Sequence, residues 1–265
     1  MDVQQMILAE QWRVAAGAQR DFRDVGFRRH SQHDEDGILL YLFTILGHGQ
    51  RRCVEICAGN GMECNAANLI LHHGWTGLLV DGDADNVATG QRFYREHPGT
   101  RFWPPVFLHT WVTTENVNGI IDDSGFSGVV DLLSIDIDGV DWWLWKAISV
   151  IRPRVVVAEI NHLWGMREAV TVPYRPDFVA ESDGHGFGYA GASLPAFLKL
   201  AERKGYEYVG ANRIGTNVFF VDREVLRSRN AIPRADPKLC FSHPRAQWGM
   251  TERYELIKNK EWERV

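Results

Sequence analysis

The chain has 265 residues, of which 45% are hydrophobic and 24% are charged, and its formal net charge is -5 at pH 7. This size suits one folded domain with extensions and leaves little room for a second full core. The negative charge and the lack of a basic run argue against nucleic acid as a partner. The sequence has no apolar run of about 18 residues, and its N-terminus is too polar for a secretory signal. We therefore expect a cytoplasmic protein that does not enter a membrane.

Helical and extended segments alternate along the first part of the chain. Apolar residues at helical spacing predict a first helix over residues 34–46. Segments that are nearly continuous in Val, Leu and Ile predict strands over residues 51–58, 76–83, 101–109, 129–138 and 153–161. Helical patterns between them cover residues 62–74, 86–99, 114–122 and 140–151. This alternation indicates βαβ units and a mostly parallel sheet that is covered on both faces.

The alternation stops at residues 162–190, which are rich in Gly, Pro, aromatic residues and His. A loop of this length in a compact domain is often functional, so we expect it to act as a substrate-binding insert. A helix is predicted over 191–206, and residues 206–221 predict two strands joined by a tight reversal. The expected organisation is an N-terminal helical extension over 1–30, a main domain over 31–222 and a C-terminal appendage over 223–265.

The segment CVEICAGNGMEC, which begins at residue 53, predicts a strand that enters a glycine turn and then a helix. In α/β folds such a turn brings backbone N–H groups against a nucleotide-like ligand. Gly59 and Gly61 lack the third glycine of a dinucleotide fingerprint. The next predicted strand ends in Asp81, where a carboxylate can accept hydrogen bonds from both hydroxyls of a ribose. Glu55 lies within the first strand and suits a ligand with a cationic or hydrogen-bond-donating group.

Acidic and amide side chains occur at the ends of two later strands. Asp136 and Asp138 share one face of a strand, and Glu159 and Asn161 pair in the same way on the next. Oxygen ligands of this kind suit Mg²⁺ or Mn²⁺ better than zinc. We therefore predict Asp136, Glu159 and Asn161 as metal ligands. Without a metal, Asp138, Glu159 or His162 could act as a general base.

The order of these motifs resembles that of class I S-adenosylmethionine (SAM)-dependent methyltransferases. CVEICAGNG, LLVDGD and DLLSIDIDG are most similar to the FkbM-like group, whose members typically show V-E-x-G-A-x-x-G, a strand-end acid and I-D-V-E-G. SQHDEDGILLYLF resembles an upstream S-Q-x-x-E-D-G segment of that group. The likeness covers residues 31–222, and Cys57 departs from it where many relatives have glycine. The resemblance implies a doubly wound, Rossmann-like α/β fold with seven strands, mostly parallel, and an antiparallel last strand.

The resemblance also implies SAM as the cofactor. Glu55, Gly59 and Gly61 would surround its amino-acid end, and Asp81, or Asp83 as an alternative, would hold its ribose. The full set of candidate cofactor-binding residues is Gln32, Asp36, Glu55, Gly59, Asn60, Gly61, Asp81 and Asp136.

Several of these residues also have a structural explanation. Gln32 and Asp36 could cap the first helix, and Asp138 could anchor the turn at Gly139. The tryptophans at 142, 143 and 145 are expected to pack in the core or in an interface, and because the stretch 142–145 looks exposed it would suit a homodimer contact.

We expect methyl transfer from SAM to an oxygen, or as a second choice a nitrogen, of a small polar metabolite or sugar, with help from Mg²⁺ or Mn²⁺ if the acids bind a metal. Two functions of other classes fit part of the pattern. Asp136 and Asp138 resemble the D-x-D of metal-dependent nucleotide-sugar glycosyltransferases. A non-catalytic nucleotide-binding scaffold would need only the glycine turn, because fold does not fix function.

Overall fold

The structure is a computed structural model that describes residues 2–15, 20–182, 184–229, 232 and 234–265. The helices are α1 (Val3–Val14), α2 (Phe22–Val25), α3 (Glu35–Leu46), α4 (Ala67–His73), α5 (Ala84–Glu96), α6 (Val117–Asp123), α7 (Asp141–Ala147), α8 (Leu194–Lys204), α9 (Arg223–Arg229), α10 (Pro244–Trp248) and α11 (Tyr254–Ile257). The strands are β1 (Arg52–Ile56), β2 (Thr76–Asp81), β3 (Val106–His109), β4 (Gly128–Ile135), β5 (Ile151–Glu159), β6 (Val170–Thr171), β7 (Glu181–Ser182), β8 (Phe187–Tyr189), β9 (Tyr206–Ala211), β10 (Asn217–Asp222) and β11 (Glu263–Arg264). Short 3-10 or π turns cover His162–Trp164, Pro237–Phe241 and Gly249–Arg253.

Seven strands form the central sheet in the order β3-β2-β1-β4-β5-β10-β9. The pairs from β3 to β5 are parallel, and β10 runs antiparallel to both of its neighbours. The predicted fold is therefore confirmed, including the antiparallel last strand. Since the chain runs outward from β1 to β3 and then returns to β4, the strand order reverses between β1 and β4. In open α/β sheets this reversal opens a crevice at the carboxyl ends of the strands, where ligands bind.

The sheet is covered on both faces because its strands are apolar on both sides. Val54 and Leu78 contribute to a core with α6, α7 and α8, whereas Cys53 and Leu79 contribute to a core with α3, α4 and α5. This alternation follows the two-residue period of a strand. The double layer of helices leaves the carboxyl edge of the sheet as the place where polar side chains can gather.

The tryptophans of α7 lie inside the protein. Trp142 and Trp145 are each 1% exposed, and the Trp142 indole N–H donates to the carbonyl of Ala196 in α8. Trp145 stacks against Phe197 with ring centroids 6.1 Å apart. The expectation that this stretch is exposed is wrong, because α8 and the insert cover it, so homodimer formation remains a prediction without that surface.

Both ends of the described chain pack onto the main domain. In α1, Gln5 exchanges two buried amide hydrogen bonds with Asn68 of α4. At the other end β11 pairs antiparallel with β6, which ties the tail to the insert. Within the described ranges, no helix combines the length and the apolarity needed to cross a membrane.

Candidate active site

A cavity of about 570 Å³ opens at the carboxyl edge of the sheet, across the reversal between β1 and β4. Its size falls within the range of small-molecule sites, roughly 300–1,000 Å³. Its walls come from the ends of β1, β2, β4 and β5, from the insert at 162–190, and from residues 244–257, which we call the C-terminal helical segment. Three parts of the chain that are distant in sequence therefore meet at one site.

The glycine turn after β1 forms the floor of this cavity. Gly59 has φ of +55°, has open space around it, and donates its N–H to the Asp81 carboxylate at 2.7 Å. Gly61 has φ of +70°, but a Cβ added there would lie 2.8 Å from the ring of Phe107. Its carbonyl accepts the Tyr94 hydroxyl at 2.5 Å. Gly59 lines the cavity, whereas Gly61 packs against the protein interior instead of the ligand space predicted for it.

Glu55 lines the cavity and anchors the start of α4. Its carboxylate accepts the N–H groups of Asn65 and Ala66 at 2.9 and 2.6 Å, and the Ser134 hydroxyl at 3.2 Å. Burial raises the pKa of Glu55, and the two backbone donors oppose that rise. Glu55 therefore fixes the helix that follows the turn while it forms part of the wall.

Asp81 is better placed than Asp83 to hold a ribose. The Asp81 carboxylate accepts the N–H of Gly59 and of Asp83 and lies on the wall of the cavity. The Asp83 side chain is the N-cap of α5, where it accepts the N–H groups of Asp85 and Asn86. Asp83 thus has a structural role that leaves Asp81 as the strand-end acid at the site.

A narrow, mainly apolar slot of about 80 Å³ adjoins the cavity and shares Cys57 and Asp81 with it. Trp111 and Phe178 form part of its walls, and the Trp111 indole N–H donates to the carbonyl of Pro176 at 2.7 Å. The slot was not foreseen from the sequence. The only available signal was the position of Trp111 just after a strand end.

Three carboxyl groups lie together at the ends of β4 and β5. One oxygen each from Asp136, Asp138 and Glu159 lies within 4.8 Å of the others, and we call these residues the acid trio. Burial, and then repulsion from Asp141, raises the pKa of Asp138 to about 6. Burial, and then repulsion from the neighbouring carboxyl groups, Asp141 included, also raise the pKa of Asp136 and of Glu159. The trio therefore retains protons that isolated carboxyl groups would lose.

The turn that carries Asp138 is anchored by another residue. Asp141 accepts the N–H groups of Ile137 and Gly139 at 2.8 and 3.0 Å. Asp138 has φ of +51° and lines the cavity, and the hydrogen bonds of the Gly139 turn go to Asp141 instead of to this residue.

Asn161 lines the cavity, but its amide is engaged with the insert. The side-chain NH₂ donates to the carbonyls of Gly188 and Ala190 at 2.8 Å, and the side-chain oxygen accepts the N–H of Leu163 at 3.1 Å. Asp138 joins Asp136 and Glu159 as a third carboxyl group at these strand ends. Asn161 as a metal ligand stays a prediction, with its side-chain oxygen already accepting the N–H of Leu163.

Besides Gly61, two of the predicted cofactor residues lie away from the cavity wall. The Asp36 carboxylate accepts the N–H groups of Arg29, His30 and Ser31, so it organises the chain before α3. The Asn60 side-chain oxygen accepts the N–H of Met62 within the turn. Both are corrected to structural roles, whereas Gln32 does line the cavity.

Basic residues line the cavity near the end of β5. Arg245 and Arg253 come from the C-terminal helical segment, and His162 and His185 come from the insert. Burial, and then the charges of Arg253 and Arg245, lower the pKa of His162 to about 4, so its ring is neutral at pH 7. Neither arginine was singled out in the sequence, because no local pattern indicates that the tail returns to this edge.

No family model matches the chain, and no curated protein matches its sequence. Several solved structures share its general fold at low identity. The N-terminal domain of EvdMO1 with SAH bound is 12% identical, with a TM-score of 0.47 over 84% of this chain and 97% of that chain. A putative caffeoyl-CoA O-methyltransferase from Staphylococcus aureus is 10% identical, with a TM-score of 0.46 over 83% and 100%. Magnesium protoporphyrin IX methyltransferase from Synechocystis PCC 6803 with bound SAM is 11% identical, with a TM-score of 0.43 over 84% and 98%.

Proposed function

We propose that the protein transfers a methyl group from SAM to an oxygen of a small polar molecule. One observation supports this above the others. Asp81 at the end of β2 is bound to the Gly59 N–H of the turn after β1, between an apolar slot on one side and a polar cavity on the other. An adenosine needs these neighbours: an apolar slot for its base and a carboxylate for its ribose hydroxyls.

In this proposal the rest of SAM extends from Asp81 into the cavity. The base would occupy the slot beside Trp111 and Phe178, and the methionine portion would follow the turn toward Glu55. Ionised Asp138 gives this end of the cavity a negative field, which favours a sulfonium cation over a neutral or anionic ligand. The methyl group would then point toward the ends of β4 and β5.

The acceptor hydroxyl would lie at the acid trio. Asp138 is the best general base there, because its pKa of about 6 leaves it ionised yet basic near neutral pH. His162, whose pKa is lowered to about 4, is a weaker base. As the oxygen attacks the methyl carbon, its proton moves to Asp138 and the carbon–sulfur electron pair stays on sulfur, giving neutral S-adenosylhomocysteine (SAH).

A divalent cation is the alternative to Asp138 as the group that activates the acceptor hydroxyl. Three carboxylate oxygens within 4.8 Å of one another match the hard oxygen ligands of Mg²⁺ or Mn²⁺. Their raised pKa values indicate like charge that a cation would offset. Asp136, Asp138 and Glu159 would hold the ion, which when bound would lower the pKa of an acceptor hydroxyl.

Nitrogen methylation, the FkbM-like grouping and a cytoplasmic location also remain proposals, based on the sequence motifs and composition. The rival glycosyltransferase would use Asp136 and Asp138 to bind a nucleotide-sugar through Mn²⁺, and it predicts stabilisation by such a ligand instead of by SAH. The scaffold alternative predicts cofactor binding without methyl transfer to any acceptor.

Calorimetric titration of SAH tests the cofactor site, with Asp81→Asn as the variant and Asp83→Asn as the matched control. We expect Asp81→Asn to weaken binding about tenfold to a hundredfold, the value of one or two hydrogen bonds to a charged group. Asp83→Asn should change the affinity by less than about threefold, because asparagine is an equally good helix N-cap. Equal losses in both variants, or no SAH binding by the wild type, would reject the assignment. Repeating the titrations with EDTA and with Mg²⁺ tests the cation.

A further inference from the structure

The C-terminal helical segment is fitted closely to the acceptor end of the cavity. Gly249 packs against the insert so tightly that a Cβ there would lie 2.8 Å from His162 Nε2 and from Leu163 Cδ2. Arg253 is only 4% exposed, and its guanidinium nitrogens lie 3.6 and 3.9 Å from the Cβ position of Gly186 in the insert. The segment is therefore built into the wall, and it brings two arginines with it.

These arginines belong to the acceptor half of the site. The cofactor residues follow β1 and β2, whereas the arginines lie beside His162, which follows β5. Because β4 separates β1 from β5, the strand ends that lead to the two groups are about two strand spacings apart, roughly 10 Å. One carboxylate group of a ligand cannot contact both groups of residues across that separation, which indicates two different recognition sites.

We propose that the acceptor carries an anionic group, a carboxylate or a phosphate, which Arg245 and Arg253 hold while its hydroxyl lies at the acid trio. Arginine recognises both anions through paired N–H donors. Arg245 is exposed at the cavity and makes no ion pair with another described residue, so its donors can meet a ligand. The acid trio repels an anion, so the acceptor can enter in only one orientation, with its charge at the arginines and its hydroxyl at the acids. The orientation rests on the proposed methyl transfer, whereas the anion site does not.

The test uses inorganic phosphate and malonate as separate probes, in thermal unfolding at fixed ionic strength with and without SAH. Both probes, or one of them, should raise the unfolding temperature of the wild type in proportion to the logarithm of concentration above Kd. Arg245→Gln should weaken probe binding about tenfold or more, as expected for a charged hydrogen bond. Arg227→Gln is the matched control. Arg227 lies on α9, which follows Asp222, the end of β10 at the edge of the sheet away from the cavity. The probe that binds more tightly identifies the anion.

Arg253→Lys provides a second variant. If the buried position of Arg253 does not tolerate lysine and this variant does not fold, Arg245→Gln alone tests the anion site. No stabilisation by either probe up to ~50 mM would overturn the proposal. So would stabilisation that is unchanged in both variants, or a loss of SAH affinity in Arg245→Gln, since that result assigns the arginine to the cofactor carboxylate. If the wild type binds the probe through Arg245 but does not bind SAH, the anion site stands and the proposed methyl transfer fails.

Discussion

Replacing Asp138 by asparagine should stabilise the folded protein above neutral pH while it removes the proposed general base. Asp138 lies with Asp136 and Glu159 in a cluster of three carboxyl groups. Its φ of +51° is a left-handed conformation that asparagine tolerates better than most residues. The substitution therefore removes a charge and adds little backbone strain.

The size of the effect follows from the pKa. Burial, and then repulsion from Asp141, raises the pKa of Asp138 from 3.8 to about 6. At about 1.4 kcal/mol per pKa unit, ionisation in the folded state costs about 3 kcal/mol, and solvent screening of this half-buried side chain reduces that cost to about 1–2 kcal/mol. The folded state holds the Asp138 proton more tightly than the unfolded state does. The stability that protonated Asp138 contributes is therefore fully present below the unfolded pKa near 4 and is lost as the pH rises through about 6.

Urea unfolding in EDTA at about pH 5 and about pH 8 measures this difference. Asp138→Asn should be more stable than the wild type by about 1–2 kcal/mol at the higher pH and by less than about 1 kcal/mol at the lower pH. Asp123→Asn, at an exposed site on α6, should show no such pH dependence. A gain of the same size at both pH values, or no gain at the higher one, would refute the reasoning that the burial of Asp138 and its repulsion from Asp141 destabilise the fold.

Three further substitutions test the turn after β1, the opposite edge of the sheet and the packing of α5. Cys57 has φ of +66°, a conformation that a β-branched residue adopts only with strain. Cys57→Val should therefore lower the free energy of unfolding by about 1–3 kcal/mol, whereas Cys57→Gly should change it by less than about 1 kcal/mol. Urea unfolding of the two variants measures the difference. Asp131→Ala removes a buried carboxylate that accepts three backbone N–H groups and lies beside Arg154. The free energy of unfolding should fall by about 3–5 kcal/mol in the same assay, and a fall of less than about 1 kcal/mol would contradict this role of Asp131. A Cβ at Gly90 would lie 2.1 Å from the Phe107 ring and 2.6 Å from the carbonyl of Asn60, so Gly90→Ala should cost about 1–3 kcal/mol and weaken SAH binding; an unchanged unfolding midpoint would contradict this.

The fold could be predicted because its signals are local. Each central strand is a short apolar run, and each helix between strands has its own period, so the order of elements alone points to a parallel sheet. The carboxyl ends of parallel strands share one edge, and this rule was sufficient to bring Asp136, Asp138 and Glu159 together. The number of strands and the antiparallel last strand were supplied by the family resemblance and agree with the structure.

The rest of the site depends on contacts between distant parts of the chain. The amide of Asn161 turns toward Gly188 and Ala190 because the insert folds over it, and the sequence around Asn161 gives no sign of that partner. Arg245 reaches the cavity because β11 pairs with β6 and holds the tail against the insert. A side chain at a strand end can thus be located from sequence, but the groups that engage it cannot.

Two costs of folding coincide at the cavity, and together they indicate a binding site more strongly than either does alone. Cys57 and Asp138 both have positive φ and both line the cavity, and the acid trio holds three carboxyl groups in close proximity, which disfavours their ionisation. Strained backbone conformations persist where the surrounding structure holds them in place, and they concentrate at functional sites. Neither cost improves the packing of the two cores, which lie on the faces of the sheet. A bound cation or a hydrogen-bond donor would offset the charge repulsion, so the arrangement is explained by a ligand rather than by the stability of the fold.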